Sequence, residues 1–303
     1  MYGYSQQPED DLGRAIVKVI IFFDLFDYPV TAYEIWENLD RAVSLSTVLS
    51  SLADQLSVQA TIAESQGFYY LSGRSDIVQT RIKRYNYSCR KLKLARRWAK
   101  LFSFCPFIKL VALSNSFGDH NWRDSGDLDF FIVCADKRIW LSRLYCTGLA
   151  KILNRRPNAQ TKRDRVCLSF YVSESHLDLT DLKIAAWDPH FHYWRRYFFP
   201  LYDCEDIYQR FLLANKSRPR NQATSATSGG RSKLVANPKF SWLQWLELAA
   251  KNFQLKILPP SIRRAVNLPG HVVITDEVLK FHEHDKRQEI LEKYGNQICQ
   301  IIS

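Results

Sequence analysis

Two aspartates one residue apart, Asp127 and Asp129, open an apolar run inside the stretch "LSNSFGDHNWRDSGDLDFFIV", residues 113–133. Alternate residues of a strand share a face, so these two carboxylates are predicted to lie side by side. Like charges that close do not both ionise cheaply unless a cation sits between them. Magnesium is commonly held by one or two carboxylates together with substrate phosphates. Asp127 and Asp129 are therefore the predicted metal ligands and catalytic residues. The preceding turn, Ser114, Asn115 and Ser116, offers hydroxyls and backbone N–H groups to phosphates, above all where a helix begins after Ser116. Asp127 can equally serve to end the "RDSGD" turn. Asp129 can likewise pair with a nearby Arg, but that explains an acid between Leu128 and Phe130 poorly.

The elements that must hold these residues can be read from periodicity. Strands are predicted over 107–113, 128–134 and 166–172, with a short helix over 117–122 and a longer one over 137–153. Alternation on 166–172 puts Cys167, Ser169 and Tyr171 on one face and Val166, Leu168, Phe170 and Val172 on the other. No acid is among them; Asp164 and Glu174 flank the strand. Cys167 reads as a small buried hydrophobe. Helical material fills 182–214.

Upstream, residues 12–26 are apolar with helical spacing and are stopped by "DYPV". Thr31 followed by Glu34 forms a capping-box pattern, Ser44 or Ser46 opens a third helix, and two short strands meet around residues 65–67. Three helices and a two-stranded wing follow the winged helix-turn-helix plan. The would-be recognition helix, 46–56, carries no Lys or Arg, whereas DNA affinity rests largely on phosphate neutralisation. A single long helix is predicted over 76–102, with Val78, Ile82, Tyr85, Cys89, Leu92 and Trp98 as its apolar stripe.

Charge is concentrated in that helix. The chain of 303 residues carries a formal charge of +11, and residues 74–100 hold ten Lys or Arg against one acid, Asp76. Arg81, Arg84 and Lys91 are the predicted polyanion-binding residues, with RNA as the favoured partner. Seven cysteines without a C-x-x-C pair, and no secretory signal, predict a reduced, cytoplasmic protein. The apolar run 15–26 is too short to span a bilayer, so no membrane partner is expected. The predicted organisation is α+β: a winged-helix-like domain over 1–75, a basic connecting helix over 76–104 and a mixed-sheet domain over 105–215. A flexible linker over 216–239 and a helical C-terminal region over 240–303 complete it.

A strand, a serine-bearing turn, a short helix and then acid-apolar-acid on the next strand resembles the nucleotidyltransferase superfamily typified by DNA polymerase β. Asn115-Ser116 followed by Asp127-Leu128-Asp129 matches that family's Gly-Ser, spacer, Asp-x-Asp pattern, with Asn115 in the glycine position. "FFDLFDYPVTAYEIWENL", "FYYLSGR" and "CLSFYVSE" resemble a group of uncharacterised bacterial proteins that join a winged-helix-like part to such a domain. The resemblance implies a mixed sheet flanked by helices, magnesium (or manganese) as cofactor and a nucleoside triphosphate as substrate. The nucleotide would bind at Ser114, Asn115 and Ser116. It also implies a third carboxylate on a later strand.

Two functions follow as expectations. The first is a magnesium-dependent transferase that moves a nucleoside monophosphate onto RNA, a protein or a small molecule. The second is a non-catalytic nucleotide sensor whose winged helix engages a protein partner or DNA. His190 and His192 after Asp188, and His282 and His284 before Asp285, are weaker metal candidates. Trp242 and Trp245, with Leu246 and Ala249, form a helix face that docks on the body or on a second copy, so a homo-oligomer is possible.

Overall fold

The apolar N-terminal run folds as α1 (Leu12–Asp24), which buries Ile16, Ile20, Phe22 and Phe23. This is a computed structural model; it describes residues 12–58, 61–114, 117–118, 120–158, 160–216, 227–228, 241–266, 268, 272–282 and 285–302. The capping box starts α2 (Ala32–Asn38): Thr31 Oγ1 accepts from the Glu34 N–H at 3.2 Å, and the Glu34 carboxylate accepts from the Thr31 N–H at 2.8 Å. Ser44, not Ser46, opens α3 (Leu45–Val58), its hydroxyl accepting from the Thr47 N–H at 3.1 Å.

Strands β1 (Ile62–Ser65) and β2 (Phe68–Leu71) pair antiparallel across a two-residue turn, Gln66-Gly67. Both turn residues have positive φ, 57° and 80°, the geometry that matches strand twist in a tight hairpin.

Helix α4 (Asp76–Phe102) follows the predicted bounds, but its buried face follows the predicted stripe only in part, at Val78, Leu92 and Trp98. Ser88, Lys91, Ala95, Trp98, Ala99 and Phe102 are buried, while Ile82, Tyr85 and Cys89 are exposed. The face is displaced because a lysine lies in it, and its charge is matched by a partner distant in sequence.

The chain forms two compact units. The first holds residues 1–85, 117–121 and 288–303, the second residues 86–116 and 122–287. These boundaries differ from those predicted at 75, 104 and 215. In the first unit Phe117 stacks on Phe26 with ring centres 4.4 Å apart. Gly118, at φ +89°, passes so close to Tyr28 that a Cβ there would lie 2.4 Å from the ring, so only glycine fits. No helix forms among the described residues of 117–122, which corrects the short helix expected after Ser116.

The second unit is built on β3 (Ile108–Leu113) and β4 (Leu128–Cys134), followed by α5 (Ile139–Ile152) and β5 (Val166–Ser173). Then come α6 (Pro189–Trp194), β6 (Phe199–Asp203), α7 (Ile207–Ala214), β7 (Thr227–Ser228), α8 (Ser241–Lys256), α9 (Pro260–Ala265), β8 (Val273–Ile274) and β9 (Val278–Lys280). The sheet order is β7-β6-β3-β4-β5-β9-β8. It is mixed: β4 runs parallel to β5, and β3 is antiparallel to both its neighbours.

One face of the sheet, with Leu128, Phe130 and Ile132, packs on Trp98 and Phe102 of α4, Trp140 of α5 and Ala250 of α8. The other face, with Phe131 and Val133, packs on Phe191 of α6 and Phe211 of α7. Strands β8 and β9 extend this sheet, so the C-terminal region expected to be helical is not wholly so. It ends in α10 (Arg287–Ile302).

The linker expected over 216–239 lies outside the described residues, apart from Lys216 and the β7 strand. The fold is α+β, as expected. Among the described residues no helix is long and apolar enough to cross a membrane.

Candidate metal and nucleotide site

Asp127 immediately precedes β4 and Asp129 is its second residue, on the face that continues with Phe131 and Val133. Their carboxylates meet a third group that the linear pattern did not offer. One oxygen each from Asp127 and Asp129 and the Sγ of Cys167 all lie within 4.8 Å of one another. Cys167 is the register partner of Asp129 across the parallel pair β4–β5.

A β-bulge explains the arrangement. Asp129 pairs with Cys167, yet Phe131 pairs with Phe170, so one extra residue of β5 is accommodated between them. Cys167 and Phe170 thereby share the face of the aspartates, and Leu168 and Tyr171 go into the opposite core. Strict alternation had put Cys167 with Tyr171, a reading the bulge overturns.

The loop that presents Asp127 is held from behind. Lys91, fully buried, donates from Nζ to the Gly126 carbonyl at 2.6 Å and to Asp164 at 3.0 Å. The Asp164 N–H adds a bond to the same carbonyl at 3.1 Å, and the Leu128 N–H donates to Arg165 at 2.8 Å. Arg90 pairs with Asp124 and Asp164. Asp164 is thus engaged by cations, and Glu174 faces Arg210 at 3.7 Å; neither belongs to the Asp127–Asp129 group. Cys167, on the later strand β5, is the third member of that group.

Burial pushes the Asp127 carboxyl above the usual carboxylate range, against its own backbone hydrogen bond and the cations Lys162, Lys91 and Arg156. Burial, then the charges of Asp129 and Asp127, push the Cys167 thiol well up. Any group that needs both carboxylates and a thiolate must therefore bring positive charge with it.

Ser114 sits where β3 ends: its N–H donates to the Asp129 carbonyl at 3.0 Å, and its own carbonyl accepts from Trp194 Nε1 at 2.9 Å. Asn115 and Ser116, the other predicted nucleotide-binding residues, lie outside the described residues. Trp194 stacks on Phe170 with ring centres 5.7 Å apart and planes 8° from parallel. Ser169 links Cys167, at 3.5 Å, to His282 Nε2, at 3.2 Å. Trp194 was invisible as a site residue, and His282, read as a weaker metal candidate of a separate cluster, is brought to Ser169 of β5 only by the tertiary structure.

The three predicted polyanion-binding residues are placed differently from the expectation. Arg81 forms a bidentate pair with Glu34, at 2.7 and 3.0 Å. Arg84, buried, bonds the Phe26 carbonyl and Asn121, each at 2.7 Å, and pairs with Asp27 at 3.3 Å. Lys91 is the buried support just described. All three cations are spent inside the fold. Exposed basic residues of α4 in the second unit instead include Lys93, Arg96, Arg97 and Lys100, whose spacing puts them on one side of the helix.

The two histidine clusters that looked separate converge around buried cations. Arg287 pairs with Asp285 at 2.7 Å and faces Asp188 at 3.8 Å, and Lys280 pairs with Asp285 at 2.7 Å. Burial, with Arg287 and Lys280 nearby, lowers His190 to about 3 and His282 to about 4. His284 lies outside the described residues.

A consequence for pH follows. Both folded values lie below the imidazole reference of about 6.5, so the unfolded chain binds protons first as pH falls. Stability from the neutral rings is full above about pH 6.5 and is lost as pH falls towards 4 and then 3. Urea midpoints should drop steeply between pH 6.5 and 4.5, and His282→Asn should flatten that drop. Equal slopes in the two proteins would contradict a His282 held neutral in the fold.

Compared with family models, with curated proteins and with solved structures, the chain matches none.

Proposed function

We propose that the chain is a divalent-cation-dependent nucleotidyltransferase of the kind typified by DNA polymerase β. On this reading it moves a nucleoside monophosphate from a nucleoside triphosphate onto a polyanionic acceptor, with RNA favoured. The observation that carries the proposal is the convergence of Asp127, just before β4, and Asp129, within it, at the start of a central strand of a mixed sheet, beside the end of the neighbouring strand at Ser114. Two carboxylates fit a hard divalent cation, which binds oxygen ligands and leaves positions for water and phosphate. That cation would supply neutralisation of phosphate charge and activation of the attacking hydroxyl.

The chain's own residues do the positioning. Asp127 and Asp129 bring two oxygens within 4.8 Å of each other, and Lys91 fixes the turn that carries the first of them. Ser114, whose N–H donates to the Asp129 carbonyl, ties the end of β3 to the strand that carries the second carboxylate. In the reaction the acceptor oxygen bonds to the α-phosphorus while the bond to the bridging oxygen breaks. Pyrophosphate leaves with that electron pair, and the acceptor proton passes to solvent. Rigid placement and charge neutralisation account for most of the rate in such transfers.

The exposed stripe Lys93, Arg96, Arg97 and Lys100 supports a polyanionic acceptor by charge complementarity. In the first unit, three helices and a hairpin support a winged-helix reading. Helix α3 has no Lys or Arg, which favours a protein partner over DNA.

A thermal-shift titration with each nucleoside triphosphate, without cation and with magnesium, manganese or zinc, tests the proposal. Ligand at about 100 times its Kd should stabilise by roughly 2.7 kcal/mol. A cation-dependent shift that Asp129→Asn abolishes is the expected result. A shift that survives Asp129→Asn would leave nucleotide sensing without the carboxylate site, and no shift with any triphosphate would sink both functions.

A further inference from the structure

We propose that Cys167 is the third protein ligand of the cation site, and that the Asp127–Asp129–Cys167 set selects a thiophilic divalent cation of the zinc class over magnesium. This inference rests on the reading of Asp127 and Asp129 as a cation site. It does not depend on nucleotidyl transfer.

Three donors capable of negative charge, from the residue before β4, from β4 and from the adjacent β5, meet within 4.8 Å. Zinc takes carboxylate oxygen at about 2.0–2.2 Å and thiolate sulfur at about 2.3 Å, so tetrahedral donors stand about 3–4 Å apart. Small rotations of the three side chains close that difference. Magnesium, in contrast, takes oxygen ligands in a near-octahedral shell and gains nothing from sulfur. Soft thiolate donors and the ordinary affinity order of divalent metals both point to zinc.

The placement of Cys167 follows from how β5 is built. The bulge after it puts Cys167 on the aspartate face while Leu168 and Tyr171 go into the opposite core. Three protein ligands leave a fourth position for water or a phosphate oxygen, the pattern of zinc sites that do chemistry. Behind the sulfur, Ser169 bonds both Cys167 and His282, the kind of outer contact that orients a ligand. Among the described residues no ion pair engages Asp127; Lys162, Lys91 and Arg156 act on it at longer range.

The test is direct titration of the full chain with cobalt(II), then zinc and magnesium, for the wild type, Cys167→Ser, Cys167→Asp and Asp129→Asn. The expected result is a thiolate-to-cobalt charge-transfer band in the wild type that zinc displaces. Cys167→Ser and Asp129→Asn should both lack the band; the latter retains all seven cysteines, so its loss locates the sulfur. Zinc affinity should fall more than about tenfold in Cys167→Ser, and Cys167→Asp should turn the preference towards magnesium. Circular dichroism on each variant separates lost binding from lost fold.

If the wild type binds divalent cations through Asp129 without a charge-transfer band, and Cys167→Ser leaves zinc affinity unchanged, the inference is overturned. The two-carboxylate site then stands. If no cation binds the wild type, the carboxylate reading falls with it.

Discussion

Replacing Arg81 with alanine is expected to cost about 3–5 kcal/mol of stability, because it strands a buried carboxylate. The Arg81 and Glu34 side chains are only 15% and 5% exposed. Both terminal guanidinium nitrogens engage the carboxylate, and one also donates to the Pro29 carbonyl at 2.5 Å. The guanidinium lies 4.1 Å from the Tyr28 ring centre and 4.6 Å from that of Phe68.

Glu34 is served on every side: Tyr28 donates from its hydroxyl at 2.5 Å, and Thr31 from its N–H at 2.8 Å. Burial alone would raise the Glu34 carboxyl. Arg81's charge and hydrogen bonds, with those of Thr31 and Tyr28, outweigh it and hold the group below the usual range. That contribution is present above the unfolded carboxylate pKa and is lost as pH falls through the lower folded value.

Urea unfolding of Arg81→Ala, Glu34→Gln and the double variant should show a double loss well below the sum of the singles. Lys83→Ala, at an exposed site of the same helix, should stay within about 0.5 kcal/mol of wild type. An Arg81→Ala protein as stable as wild type but weaker in RNA retention would return Arg81 to the polyanion-binding role and contradict the internal pair.

Lys91→Met is expected to destabilise the second unit by about 3 kcal/mol and to weaken cation binding by about tenfold or more. Methionine matches much of the lysine's length and removes only the charged head. The Gly126 carbonyl then loses its 2.6 Å bond, and Asp164 keeps Arg90 as its partner. The segment that stiffens or loosens is the one directly before Asp127.

Stability and affinity should therefore fall together in Lys91→Met. Lys93→Met, two residues along and exposed, should change neither. Calorimetric titration with cobalt(II) reads the affinity, and urea midpoints read the stability. A stable Lys91→Met with unaltered cation affinity would remove Lys91 from the support of the site.

Several features were legible because they are decided within a few residues. The Thr31–Glu34 capping box, the hairpin turn at Gln66-Gly67 and the bounds of α4 all depend on local hydrogen bonds and local backbone preference. The side-by-side placement of Asp127 and Asp129 depends on the two-residue period of a strand.

What stayed hidden depends on partners far along the chain. Arg81 and Lys91 looked like a landing surface for a polyanion, since nothing nearby in sequence matches their charge. Glu34 lies 47 residues from the first, and Asp164 lies 73 residues from the second. Those pairings let a lysine occupy the buried face of α4, and a hydropathy stripe cannot anticipate that.

Cys167 illustrates the same division. Its residue type marks it as a buried thiol, but its face was decided by the bulge that lets Phe131 meet Phe170 after Asp129 meets Cys167. A shift of one residue in pairing exchanges the two faces of a strand. By itself the sequence determined which side chains could do chemistry and where two of them must stand together. The tertiary structure alone decided that a thiol completes the group and that a buried lysine holds it, because register and burial are set by strand pairing and charge pairing across the whole unit.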